Sequence, residues 1–319
     1  MLLGKIGKIS SYTETVDIVF RHANKAAEEE REKVKGKLRI DKSRGIELTR
    51  IRTVTSELNR IADRIIKNFP SFDNLNMFYQ EMLRLRFDTE QIKKSLGALQ
   101  WMKETVARIE REVGRKIKDE KSFRDINPFR RQFYARVDSI VKKVASDFIL
   151  LEKVRKYLRD MPVLKERMFT VSIVGFPNVG KTTLLSKLTG STPEISPIPF
   201  TTQRLNLGYY KKLIQFVDTP GTLHHFEEMN EVEKLAYLAM KYVSHVIVYI
   251  YDATEPYPWT QQEALDTEIK KLNKPLIYFL SKDDLLSAEK IAELKKNIKG
   301  LIIGQEELIQ KVEELERNI

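Results

Sequence analysis

Thr170-Val-Ser-Ile-Val-Gly-Phe-Pro-Asn-Val-Gly-Lys-Thr182 begins as a short apolar strand and runs into the pattern Gly-x4-Gly-Lys-[Ser/Thr]. A strand, a glycine-bearing loop and then a helix is the setting in which this pattern binds phosphate. The glycines let the backbone wrap around phosphates, with its N–H groups aimed inward as an anion nest. The residues of that wrap are Gly175, Pro177, Asn178, Val179, Gly180, Lys181, Thr182 and Thr183. Lys181 supplies a point charge for the outer phosphates, and the Thr182 hydroxyl is placed for magnesium. An ordinary glycine-rich turn is the competing reading, and the flanking strand and helix patterns count against it.

Downstream of residue 167 the pattern alternates. Strands are expected at 168–174, 205–210, 213–218, 245–251, 276–280 and 301–303, with helices near 181–189, 231–241, 260–272, 287–298 and 305–317. This implies an α/β domain, doubly wound on a mainly parallel sheet, with ligands at the carboxyl ends of the strands. Two further elements lie in register with the phosphate loop. Asp218-Thr-Pro-Gly221 follows a buried strand, so Asp218 can hold a magnesium hydration shell and the Gly221 N–H can sense a γ-phosphate. Between them, Pro199-Phe-Thr-Thr-Gln203 offers a threonine for magnesium, Thr202 first and Thr201 in reserve.

The base is read elsewhere. Ser281-Lys-Asp-Asp284 follows the expected strand Leu276–Leu280, where a guanine-reading loop has Asn-Lys-x-Asp. A carboxylate at Asp284 accepts from both donors on the guanine edge and meets a lone pair on adenine. Such buried mismatches discriminate strongly. Lys282 can lay its alkyl stem over the purine face. The plain alternative is a helix N-cap, since Ser or Asp before Leu285-Leu286 is common in turns.

The first half is different in kind. Ile46, Leu48, Ile51, Val54, Leu58, Ile61 and Ile65 form one apolar stripe at helical spacing, and Val137, Ile140, Val141, Val144, Phe148, Leu151, Val154 and Leu158 form another. Helices at 75–87 and 89–112 lie between, with Pro70 and Pro128 read as breaks, and residues 1–40 as a segment that could cross to the second domain. An α-helical bundle over 1–166 therefore precedes the α/β domain over 167–319. The net charge of +11 is uneven: 39 Lys+Arg against 25 Asp+Glu in residues 1–167 leaves −3 for the remainder. A basic half points to a polyanion, against the plain reading of a Lys- and Glu-rich surface. The chain has no cysteine, which excludes disulfides and thiolate metal sites and suits a reducing cytoplasm. Its longest uncharged apolar run, Val243–Tyr251, is nine residues, well below the ~20 of a membrane helix. Trp101 and Trp259 read as packing residues rather than base-stacking platforms, each isolated from other exposed aromatics, and a monomer is expected because no heptad seam is evident.

With these motifs in hand, the chain resembles the nucleolar GTP-binding proteins, within the Obg-related class of GTPases. The resemblance spans about residues 10–285. It includes Asn68-Phe-Pro-Ser-Phe-Asp73 followed by Phe78-Tyr79, Leu96-Gly-Ala-Leu99, and the basic segment Arg130-Arg131…Arg136 leading to Tyr157-Leu-Arg-Asp-Met-Pro162, besides the phosphate, 199–202 and 218–221 motifs. The short length is similar to an archaeal form. The resemblance implies GTP and GDP as ligands with magnesium, and hydrolysis that works as a conformational switch in assembly of the large ribosomal subunit. It implies ribosomal RNA, the subunit precursor and other assembly factors as partners, with RNA contacts among Arg130, Arg131, Arg136, Lys142 and Lys143. Relatives of this class also use potassium through an Asn in the phosphate loop, the position Asn178 occupies.

Three departures matter. Ser281 replaces Asn, Leu301-Ile-Ile-Gly304 runs straight into Gln305 without the usual Ser-Ala loop, and Thr222-Leu223 stand where some GTPases place a water-orienting Gln. His224 and His225 read as solvated loop residues rather than bases. Catalysis is expected from Lys181, Thr202 and Gly221. The runner-up is an RNA-binding assembly scaffold whose nucleotide site is weak or structural; a P-loop ATPase is a third reading, which Asp284 argues against.

Overall fold

A computed structural model describes residues 6–34, 36, 38–161, 164–165, 167–190, 194–197, 204–219, 229–254 and 257–318. The chain divides into two compact units, residues 1–75 with 83–159 and residues 76–82 with 160–319.

The first unit is helical: α1 (Tyr12–Lys33), α2 (Arg39–Asn68), α4 (Thr89–Asp119), α5 (Phe123–Lys143) and α6 (Ala145–Asp160), while α3 (Met77–Arg84) falls mostly in the 76–82 segment of the second unit. Along α2 the stripe Ile46, Ile51, Val54, Leu58, Ile61 and Ile65 is buried, as its 3.6-residue period requires. Ile51 and Leu48 pack beside Gly114 of α4, each 3.8 Å from where a Cβ would stand, an ordinary contact distance. The described part of residues 1–40 groups with the helical unit. Ser11 and Glu14 form a capping box that starts α1, which buries Val19, Ala23 and Ala27, and the Ile9 N–H donates to Glu152 at 3.0 Å. Pro128 is no break either. It lies inside α5, where buried Ile126, Phe133 and Val137 hold the helix through it; Pro70, just past the end of α2, is one. Trp101 is 42% exposed, because the buried side of α4 is taken by Leu99, Met102 and Ile109.

The second unit carries one six-stranded sheet in the order β2-β3-β4-β1-β5-β6. Its strands are β1 (Phe169–Val174), β2 (Glu194–Pro197), β3 (Arg204–Tyr210), β4 (Ile214–Asp218), β5 (Val246–Asp252) and β6 (Leu276–Ser281). Strands β4, β1, β5 and β6 are parallel, while β3 runs antiparallel to β2 and β4. Strand β2 has no counterpart in the sequence pattern, since four residues ending in proline carry no period. The strand expected at 301–303 shrinks to a single bridge between Ile302 and Phe279.

Helices cover both faces. Leu184, Leu185 and Leu188 of α7 (Lys181–Thr189) and Leu308 and Val312 of α11 (Gln305–Arg317) pack on Val171, Ile173, Phe216, Val248 and Ile250. Met240 of α8 (Glu231–Tyr242), Leu265 and Ile269 of α9 (Trp259–Lys270) and Leu294 of α10 (Ala288–Asn297) pack on Ile247, Tyr249, Tyr251 and Leu280. Strand β5 alternates between the two cores and is buried throughout, as a central parallel strand must be. Because β4 and β5 flank β1, the chain leaves β1 at the point where the strand order reverses, the place where open α/β sheets take their ligands. No helix among the described residues is long and apolar enough to cross a membrane.

Candidate nucleotide site

Strand β1 ends at Val174, and the loop 175–180 turns directly into α7. Gly175 sits under β5: a Cβ there would stand 2.9 Å from the Ile250 carbonyl oxygen, so a side chain is excluded by backbone. Asn178 and Gly180 adopt left-handed backbone, with φ of 62° and 95°. Asn178, Thr182 and Thr183 are exposed, while Val179 is buried beneath them. Lys181 is 8% exposed; its Nζ donates to the Gly175 carbonyl at 2.9 Å and the Phe176 carbonyl at 2.7 Å. Burial pulls the ammonium down to about 8, with nearby Asp218 opposing the shift.

Asp218 closes β4 beside this loop. The Thr182 Oγ1 donates to its Oδ2 at 2.6 Å, and the Asn206 Nδ2 of β3 donates to the same oxygen at 3.0 Å. The second oxygen, Oδ1, is buried with no partner. A buried carboxylate oxygen without a donor, next to a hydroxyl, is the hard oxygen chemistry that magnesium and its water shell satisfy. The residues present therefore fit the ion. Among the described residues no group of three or more His, Asp or Glu side chains is gathered to hold a metal by itself. Asn206 carries no signal in the sequence: it lies on a strand, twelve residues from Asp218, and only the antiparallel register Asn206↔Asp218 joins them. Thr201, Thr202, Gly221, His224 and His225 lie outside the described residues.

Strand β6 ends at Ser281, which is buried and whose Oγ donates to the Tyr251 carbonyl at 3.1 Å. Register places Ser281 beside Asp252, so the next side chain, Lys282, reaches Asp252 Oδ2 at 2.6 Å. Burial pushes the Asp252 carboxyl up, but Lys282 and the Thr254 donors outweigh it and hold the group below its ordinary range. Lys282 has φ of 53°, and Asp283–Leu285 form a short 3-10 turn with Asp283 and Asp284 exposed. The helix cap is Ser287, which accepts from the Lys290 N–H; Ser281 is not a cap. Trp259 packs as expected, its ring stacked on buried Tyr251 at 4.9 Å. Beyond Ile302 and Ile303 the chain turns at Gly304 straight into α11.

The family model described as NOG1 N-terminal helical domain matches residues 4–165, and that of a 50S ribosome-binding GTPase matches residues 170–282. An uncharacterized protein of Methanocaldococcus jannaschii is 37% identical over 254 residues, 78% of this chain and 72% of that one. The chain belongs to the nucleolar GTP-binding protein family. Nucleolar GTP-binding protein 1 of Drosophila melanogaster is 31% identical over 82% of this chain, which spans 41% of that relative. A solved structure of a putative nucleolar GTP-binding protein 1 from Plasmodium falciparum is 24% identical, covering 50% of this chain and 91% of that one at a TM-score of 0.39. The family's helical and P-loop GTPase domains are thus the two halves of this chain, with the phosphate loop, Asp218 and the Ser281 loop in the second.

The basic candidates all fall on α5. Arg130 pairs with Glu47 at 3.4 Å and Arg136 with Glu112 at 2.9 Å. Arg131, Lys142 and Lys143 are exposed, and no acidic side chain among the described residues pairs with them. Arg131 and Lys142 stand three turns apart on one side of the helix.

Proposed function

We propose that this chain binds GTP and GDP and hydrolyses GTP slowly, as a switch in assembly of the large ribosomal subunit. The observation that carries the reading is the cluster of Lys181, Thr182 and Asp218 at the switch point of the sheet, with its unpartnered carboxylate oxygen. Lys181 would release its two loop carbonyls and turn its ammonium to the phosphates. Thr182 and Asp218 would hold magnesium, which when bound neutralises charge on the phosphate oxygens. Thr202 and the Gly221 N–H would complete the γ-phosphate side, and Asn178 at the mouth of the loop would serve potassium. At the other end, Lys282 and Asp284 would read guanine.

The relatives' name, nucleolar GTP-binding protein, and the matched description of a 50S ribosome-binding GTPase support the ribosomal side of this reading. So does the charge of the helical domain, since neutralising phosphates with Lys and Arg gives salt-sensitive affinity for RNA. The proposal includes a monomer working in the cytoplasm, with ribosomal RNA met through Arg131, Lys142 and Lys143. Parallel titration of labelled GDP and ADP tests the base, and GTP turnover with and without large-subunit particles tests the switch. One observation favours the scaffold reading: the Ser281 hydroxyl is taken by Tyr251, so it holds no base. That reading expects particle binding to be the same with GTP and GDP.

A further inference from the structure

An amide at position 281 could span from the base loop to the phosphate loop, but the Ser281 hydroxyl turns to its own sheet neighbour, Tyr251. A different route joins the two loops. Lys282 Nζ lies 2.6 Å from Asp252 Oδ2 as an ion pair without hydrogen-bond alignment, and Asp252 is fully buried. Its other oxygen accepts from the Thr254 N–H at 2.9 Å and the Thr254 hydroxyl at 2.7 Å. The Asp252 N–H donates to Gln262 Oε1 at 3.0 Å, and Gln262 Nε2 donates back to the Asp252 carbonyl at 2.8 Å. The same Nε2 lies 3.3 Å from the Tyr257 carbonyl. The Tyr257 ring packs on Phe176 with centroids 4.7 Å apart, and the Phe176 carbonyl accepts from Lys181 Nζ at 2.7 Å.

We propose that Asp252, Gln262 and Tyr257 form the tie between base loop and phosphate loop that Ser281 cannot make, with Asp252 as the positioning residue of guanine recognition. The inference rests on the guanine reading above. Its physical basis is that Lys282 adopts left-handed backbone, which a non-glycine residue keeps only when its surroundings over-determine it. The buried carboxylate does so by fixing the ammonium, and with it the stem that lies over the purine and the start of the turn that carries Asp284. Gln262 is 1% exposed and satisfies three backbone groups at once, so the end of β5 cannot shift without α9 and the Tyr257 segment. A contact that only knits β5 to α9 would affect thermal stability and leave base selectivity alone.

The experiment measures binding of fluorescent GDP, IDP and ADP to the full chain, its Asp252→Asn and Tyr257→Leu variants, and each of these combined with Ser281→Asn. Thermal midpoints are recorded beside them; Tyr257 is partly exposed, so its variant tests the tie even where Asp252→Asn unfolds. Each single variant is expected to weaken GDP about tenfold and to narrow the GDP/IDP ratio. Ser281→Asn is expected to restore most of that loss, a non-additive result that marks a shared tie. GDP affinity unchanged in both single variants, or losses that Ser281→Asn leaves in full, would overturn the inference. Wild-type protein that binds ADP as well as GDP overturns the guanine reading itself, and the tie with it.

Discussion

Thr182 Oγ1 and Asp218 Oδ2 are 2.6 Å apart, although 36 residues separate them and they belong to different elements. Helix α7 delivers the first, strand β4 the second, and Asn206 on β3 donates to the same carboxylate oxygen at 3.0 Å. One oxygen of Asp218 is thereby anchored twice while the other stays without a donor. Asp218→Asn keeps the shape and removes the charge. It is expected to weaken the magnesium requirement for GTP binding, with a loss of about 2 kcal/mol or more in magnesium and little in its absence. Titration of labelled GTP with magnesium and with chelator checks it.

Asn206 makes a companion case. Asn206→Ala removes one donor and frees the carboxylate to rotate, and about 1 kcal/mol of the same magnesium-dependent affinity is expected to go with it. The measurement is the same titration, and equal affinity with and without the Asn206 amide would remove its positioning role.

Lys181 sets a pH dependence. Burial brings its ammonium to about 8, and phosphates are bound by the charged form. Below pH 8 the lysine is already charged and affinity is full. Above it, binding must take up a proton, so GDP affinity falls with rising pH, about tenfold between pH 7 and pH 9. Fluorescent GDP titrated across that range measures the slope, and Lys181→Met is expected to flatten it.

Gly208 links the antiparallel edge to the helix of the phosphate loop. A Cβ there would stand 2.5 Å from Thr189 Cγ2 and 2.7 Å from Leu185 Cδ1, both on α7. Gly208→Ala is expected to cost about 1–3 kcal/mol by overpacking. Thermal or urea unfolding reads the loss.

On the helical domain, Arg131, Lys142 and Lys143 are exposed on α5 without carboxylate partners among the described residues, whereas Arg130 and Arg136 already have them. Reversing the first three to Glu is expected to weaken RNA binding and to lower the salt slope by about one for each phosphate no longer neutralised. Reversing Arg130 is expected to disturb Glu47 and fold stability more than RNA affinity. Filter binding across a salt series separates the two.

The parts that could be read from the chain alone are those carried by period or by a fixed motif. The run Phe169–Thr182 announces strand, loop and helix because each has its own residue signature, and the stripe on α2 announces a helix because it repeats. What escaped has no local signature. Strand β2 is four residues paired only by backbone register with β3. Asn206 and Asp252 owe their placement to neighbours across the sheet, Asp218 and Ser281, and such register is set by the fold as a whole. Pro128 misleads for the reverse reason: a local helix breaker is overruled by the buried face of α5.

The central claim is a phosphate site that works on GTP, and the most direct measurement is GTP turnover by wild-type protein and Lys181→Ala at matched purity, with large-subunit particles present. Magnesium-dependent release of phosphate is expected to fall at least a hundredfold in the variant, about the scale on which removal of one charge-stabilising donor acts. Turnover unaffected by Lys181→Ala would contradict it.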